Sequence, residues 1–194
     1  MLPFIRKECK EVVPSVDSNL IRGLLNLIDS FLCRDPGAVE VKKASFPNKV
    51  MLTYLSFSLI WSLGANIEDN SRSNFADEIR PLIKKKFMDF PDRGDVYDFG
   101  IDSENHKLEP WKNQVPGFKY NPETSFFEIL VPTSDTVKYK YLLSTLLGAG
   151  HNVLITGGTG VGKSVVTKGF LATAPEDIVS ACVNFSGKTT TKNL

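Results

Sequence analysis

Residues 152–164 read Asn152-Val153-Leu154-Ile155-Thr156-Gly157-Gly158-Thr159-Gly160-Val161-Gly162-Lys163-Ser164. The first five form a continuous β-prone run of the kind that fills buried parallel strands. The next eight fit G-x-x-x-x-G-K-[ST] at every fixed position. Glycines let the backbone turn tightly round an anion, and successive amides then point inward as a nest for phosphate oxygens. At these offsets Lys163 reaches β- and γ-phosphates and the Ser164 hydroxyl ligates Mg²⁺. A helix opening near Lys163 adds the positive end of its dipole. The expected ligand is a nucleotide with Mg²⁺, held by Gly157, Gly158, Thr159, Gly160, Val161, Gly162, Lys163 and Ser164.

The flanks agree with this reading. Ser164 to Ala174 predicts a helix, which Gly169 weakens by about 1 kcal/mol without forbidding it. The run Ile178 to Phe185 predicts a second strand, completing strand–loop–helix–strand. Upstream, Val137, Tyr141, Leu142, Thr145 and Leu146 predict a short amphipathic helix closed by Gly148 and Gly150. The fold class expected for the C-terminal part is α/β, the start of a P-loop parallel sheet.

The N-terminal half reads differently. Leu20, Leu24, Leu27, Ile28 and Phe31 recur at three and four, and Asp17 or Ser18 suits an N-cap. The run Val50 to Leu63 is apolar almost all round, so its helix should be buried, with Phe57 and Trp61 inside. Phe75, Ile79, Leu82 and Ile83 make the face of a third helix, in which Pro81 should cause a stop or a kink. Lys84-Lys85-Lys86 reads as a solvated helix end that suits the dipole. From Phe90 to about residue 125, prolines, glycines, Asp and Asn accumulate between aromatics. Short strands are expected at 96–99, 118–120 and 126–131, with Trp111 as a core anchor. The expected organisation is a helical small subdomain over 1–90, a loop-and-hairpin connection over 91–130, and the truncated start of a P-loop large subdomain over 131–194.

Composition bounds the alternatives. The 194 residues are 42% hydrophobic and 23% charged, enough for a packed core. Lys+Arg of 23 against Asp+Glu of 22 gives a net charge of +1, which argues against nucleic-acid binding through bulk positive charge. No apolar run approaches the ~20 residues of a membrane span, and the N-terminus lacks a secretory apolar region. Cys9, Cys33 and Cys182 have neither CxxC spacing nor neighbouring histidines, so disulfide and zinc readings fail and a reduced, intracellular chain is expected. His106 and His151 build no nucleophilic triad. Hydrolysis also needs an acidic residue on a later strand and an arginine from a neighbour. No run of four apolar residues ending in Asp-Asp or Asp-Glu follows Ser164, so the chain reads as a piece of something longer that binds nucleotide without turning it over.

Three segments carry a family resemblance. Phe57-Ser58-Leu59-Ile60-Trp61-Ser62-Leu63-Gly64, followed by Arg72 and Phe75, resembles the helical small subdomain closing the second AAA+ module of dynein heavy chains. Glu128-Ile129-Leu130-Val131-Pro132-Thr133-Ser134-Asp135-Thr136 resembles the loop leading into the third module, which in that family lies along the adenine. Asn152 to Ser164, with Val183-Asn184-Phe185-Ser186, is similar to that module's first strand, Walker A and second strand. The resemblance implies that Val131, Pro132 and Thr133 flank the base. It implies a part of a microtubule motor ATPase whose third module regulates the main hydrolysis site, with the 1–90 helices packed on the 131–194 part. The implied partners are other AAA+ modules of the same heavy chain, and the microtubule and intermediate or light chains through regions absent here. The implied location is the cytoplasm and cytoskeleton; the form of the Walker A favours an axonemal, inner-arm heavy chain, hence cilium and axoneme. The other reading is a non-catalytic nucleotide-binding scaffold. A free-standing P-loop kinase or GTPase is disfavoured because those place the cradle near the N-terminus.

Overall fold

The computed structural model describes residues 1–33, 48–86, 90–102, 104–118, 131–173, 179–186 and 189–190. Four helices form the N-terminal part: α1 (Leu2–Glu8), α2 (Asp17–Cys33), α3 (Asn48–Leu63) and α4 (Asp69–Lys86). α2 buries Leu20, Leu27 and Phe31. α3 is the centre of the core, with Phe57 only 1% and Trp61 only 7% exposed. Two of its hydroxyls are satisfied within the helix, Thr53 and Ser56 donating to the carbonyls of Lys49 (3.0 Å) and Leu52 (2.7 Å) one turn back, whereas those of Ser58 and Ser62 are buried with no partner among the described residues. Phe57 meets Phe31, Trp61, Trp111 and Tyr141 at ring separations between 5.7 and 6.3 Å, three of the four edge-on.

α4 continues through Pro81, against the expectation of a stop. A proline inside a helix costs about 3 kcal/mol, but Pro81 itself is exposed while Ile79 and Ile83 are fully buried on either side of it. Burying each isoleucine contributes about 1.5–3 kcal/mol, which offsets the missing hydrogen bond. The chain then returns under α4, where Arg80 stacks on the Phe90 ring at 5.4 Å and donates to the carbonyls of Pro91 and Gly94.

Residues 96–98, expected in a strand, form a 3-10 turn (Val96–Asp98). The reason is local. Asp95 accepts from the Tyr97 amide and Asp98 accepts from the Asp95 amide, a reciprocal cap that fixes a helical turn. The strand begins one residue later: β1 (Phe99–Asp102) pairs antiparallel with β2 (Lys107–Pro110), placing Phe99 opposite Pro110 and Ile101 opposite Leu108. No strand is expected at 107–110 from the sequence. Trp111 opens a second 3-10 turn (Trp111–Gln114), is 2% exposed, and donates to the Tyr97 carbonyl at 3.1 Å, so it is the expected core anchor. Of the other expected strands, Phe118 and Val131 lie outside regular structure, and residues 119–120 and 126–130 lie outside the described residues.

α5 (Ser134–Gly148) packs on α2 and on the Trp111 turn, with Tyr141 against Phe31, Phe57 and Trp111. It ends where the glycines require: Gly150, at φ 77°, donates to Leu147 O and His151 donates to Leu146 O. On its other side lies α6 (Lys163–Leu171). The two parallel strands expected beside α6 are not formed. Residues 152–156 and 179–185 have no ladder, and Leu154 is 82% and Val179 93% exposed. A parallel strand draws its hydrogen bonds and its cover from neighbours on both sides, and no such neighbour stands among the described residues. Their only sheet is the antiparallel β1–β2 pair.

Candidate nucleotide-binding site

The cradle is built by glycines at the turn and a helix behind it. Gly160 (φ 80°) and Gly162 (φ 86°) hold the left-handed backbone that other residues reach only under strain. Gly162 caps α6, whose first ladder bond runs from Val166 N–H to Gly162 O at 3.0 Å. The amides of Lys163, Ser164 and Val165 therefore lie ahead of the helix's own ladder, at its positive end. Lys163 folds back into the bend, and its Nζ donates to Gly157 O (2.9 Å) and Gly158 O (2.5 Å). Both partners are neutral carbonyls, so the ammonium keeps its full charge for an anion. Ser164 stands exposed in the first helical turn. This donor set, amides plus an ammonium and a free hydroxyl, fits a phosphate chain with Mg²⁺.

The cradle faces a cleft of about 1030 Å³. Gly157, Gly158, Val161, Gly162 and Lys163 line one side, and Thr133, Asp135, Thr136 and Lys138 at the start of α5 line another. Trp61, Arg72 and Tyr97 of the N-terminal part complete it. Thr133, expected beside the base, caps α5: it accepts from the Thr136 amide at 3.2 Å, while Thr136 Oγ1 accepts from the Thr133 amide at 2.8 Å. Val131 is exposed and Pro132 half-buried; neither borders the cleft.

Some cleft residues escaped the sequence reading. Lys138 was not singled out, although its spacing from Asp135 is a helical ion-pair signal; the two meet at 2.5 Å. The histidines take structural places. His106, at φ 53°, bonds through Nδ1 to Tyr54 OH at 2.7 Å, and His151 Nε2 lies 3.2 Å from Asp29 Oδ2 on α2. Burial pushes the Tyr97 phenol far above its ordinary value, only partly opposed by Arg72 over its ring. Among the described residues no cluster of His, Cys, Asp and Glu is placed to hold a metal ion, and no helix is long and apolar enough to cross a membrane.

Two family models match in tandem: "Dynein heavy chain AAA lid domain" over residues 1–113 and "P-loop containing dynein motor region" over residues 118–194. Human dynein axonemal heavy chain 6 is 37% identical over 97% of the chain. Mouse dynein axonemal heavy chain 1 is 32% identical over 96%, and the ciliary dynein beta chain of Tripneustes gratilla 28% identical over all of it. The chain spans only 4–5% of the length of these relatives.

Proposed function

This chain belongs to the dynein heavy chain family, and on that premise we propose that it supplies the lid closing one AAA+ module and the nucleotide cradle opening the next in a microtubule motor ATPase. In this reading residues 1–90 are the lid, 91–130 the connection and 131–194 the start of the P-loop large subdomain. Gly157 to Ser164 hold the phosphates of ATP or ADP, Ser164 ligates Mg²⁺, and of Val131, Pro132 and Thr133 it is Thr133, the one that borders the cleft, that flanks the base. The observation that carries it is the bend itself: two left-handed glycines stand ahead of the leading amides of α6, and the Lys163 side chain folds back over the same bend. When bound, Mg²⁺ would offset phosphate charge at Ser164.

The reading assigns binding to this chain and hydrolysis to the intact heavy chain, where an acid and a neighbour's arginine complete the site. Its partners are then the adjoining AAA+ modules, with microtubule and intermediate or light chains engaged elsewhere on the heavy chain. The names of the relatives, axonemal and ciliary, support the cilium and axoneme as its place. The test is nucleotide binding by the 194-residue chain, followed with a fluorescent ATP analogue. Lys163→Ala should abolish binding with the circular dichroism unchanged; equal binding by the folded variant refutes the cradle.

A further inference from the structure

We propose that Lys138 is the positioning residue through which the lid senses whether the cradle is filled. The inference rests on the cradle reading above and names the contact that regulates the same site.

Lys138 sits in the second turn of α5, and its side chain is only 13% exposed. Its ammonium is tethered 2.5 Å from Asp135 Oδ1 and stands between two rings, 5.2 Å from the centre of Tyr139 on its own helix and 5.9 Å from that of Trp61 at the end of α3. A cation at that distance is drawn to the indole face. The Trp61 indole N–H is buried with no hydrogen-bond partner among the described residues, so among them the ring is held by packing and the nearby charge. Trp61 meets Tyr97 edge-on at 5.6 Å, and the Tyr97 hydroxyl donates to Gly64 O at 2.9 Å. One file of contacts thus runs from the first turns of α5 to the junction of α3 and α4.

α5 lies between the two halves. It packs on α6, the helix that begins at Lys163, and its N-cap Thr133 borders the cleft. A ligand pressing on the start of α6 or on Thr133 must shift the first turns of α5. The N-terminal part meets α5 through side chains packed on the core, Val137, Tyr141, Leu142 and Leu146, and through Lys138 in the cleft. Tyr141 is wedged among three core rings and moves only with the core. Lys138 lies in the cleft itself, facing Trp61 across a polar contact that can slide without opening the core.

The chain has two tryptophans, hence two indole N–H resonances in a ¹H–¹⁵N spectrum, and Trp111 is told apart by its bond to Tyr97 O. ATP with Mg²⁺ is titrated into the folded chain, with binding measured separately by the fluorescent analogue. In the unaltered chain the Trp61 resonance should move with the midpoint of binding. Lys138→Met, which keeps the apolar stem, should leave Trp61 still once the fluorescent analogue shows its cradle saturated, whatever the affinity at which saturation is reached; Lys138→Arg should restore the movement. Trp61 moving equally in Lys138→Met, or staying still in the unaltered chain with the cradle filled, overturns the proposal. Absence of binding by the folded chain brings down the cradle reading, and this inference with it. If Lys138→Met loses its fold, Asp135→Asn decides, because it releases the tether: an unchanged Trp61 movement there is equally fatal.

Discussion

Replacing Gly64 with alanine should destabilise the fold by about 4 kcal/mol, although it adds one methyl group. Gly64 directly follows α3. Its amide donates to Ile60 O at 2.9 Å, and its carbonyl accepts from the Ile67 amide at 3.2 Å and the Tyr97 hydroxyl at 2.9 Å. A methyl at this position would lie 2.6 Å from Phe75 Cε1, 2.7 Å from Ile60 O and nearer still to Tyr97 Oη. Ile60 O is backbone inside α3, and Phe75 is fully buried, so neither can yield cheaply. Relief must come from Tyr97, whose withdrawal breaks its bond to Gly64 O and strands a buried hydroxyl. Overpacking costs about 1–3 kcal/mol and the orphaned hydroxyl about 1–3 more. For a chain of this length each kcal/mol lowers the melting temperature by about 2–4 °C, giving a fall of about 8–16 °C. Thermal unfolding followed by circular dichroism reads it, with Gly148→Ala as the control because none of the described residues beyond its own helix and chain neighbours lies within 4 Å of its added methyl. In a Tyr97→Phe background the penalty should shrink, since the clashing oxygen is gone and contacting residues are not additive. A Gly64→Ala melting temperature within about 2 °C of the unaltered chain would refute the packing argument.

Trp111→Ala should cost about 3–5 kcal/mol, read by denaturant titration, because it empties a fully buried site and frees the Tyr97 carbonyl. Thr133→Ala removes the reciprocal cap of α5 and should cost about 1 kcal/mol in the same assay; if Thr133 borders the base, ATP affinity drops as well. Burial raises the Tyr97 phenol above its unfolded value near 10, so the folded chain retains a proton that the unfolded chain releases. Its contribution to stability is therefore complete below about pH 10 and is lost as pH rises beyond it. Melting temperatures measured across that window should fall more gently in Tyr97→Phe, and identical slopes would exclude Tyr97 as the cause.

The helices were readable because their causes are local. The three-and-four spacing of Leu20, Leu27 and Phe31 faces one core, and the all-round apolarity of 50–63 calls for burial, which Phe57, Ile60, Trp61 and Leu63 reach while Met51 in the first turn stays exposed. What misled was the weighing of local against distant terms. Pro81 is a local penalty overruled by the full burial of Ile79 and Ile83, which the fold and not the local sequence supplies. Val96 to Asp98 has strand composition, yet two aspartates close a helical turn over it. The runs 152–156 and 179–185 carry the composition of strands, but composition supplies only half of a ladder; the other half must come from a neighbour.

The site divides along the same line. A phosphate nest is a property of consecutive backbone units, so eight residues announce it, and the bend at Gly160 and Gly162 has the form those residues dictate. What surrounds the nest is a property of the fold. Nothing in the spacing of residues 61 and 138 places a lysine over an indole; the aromatic packing of Tyr141 against Phe31, Phe57 and Trp111 does, by setting α5 against α3 at one height. If that placement is what matters, the two halves should separate under mutation. Changes in the cradle should alter affinity and leave the lid intact. A loosening of the Tyr141 cluster, as in Tyr141→Leu, should leave the cradle's own amides in place yet blunt the Trp61 response, because the height of Lys138 is no longer held. A Tyr141→Leu chain that binds nucleotide and still moves the Trp61 resonance in full would show that Lys138 is positioned by its own turn of helix, through Asp135, and not by the core beneath it.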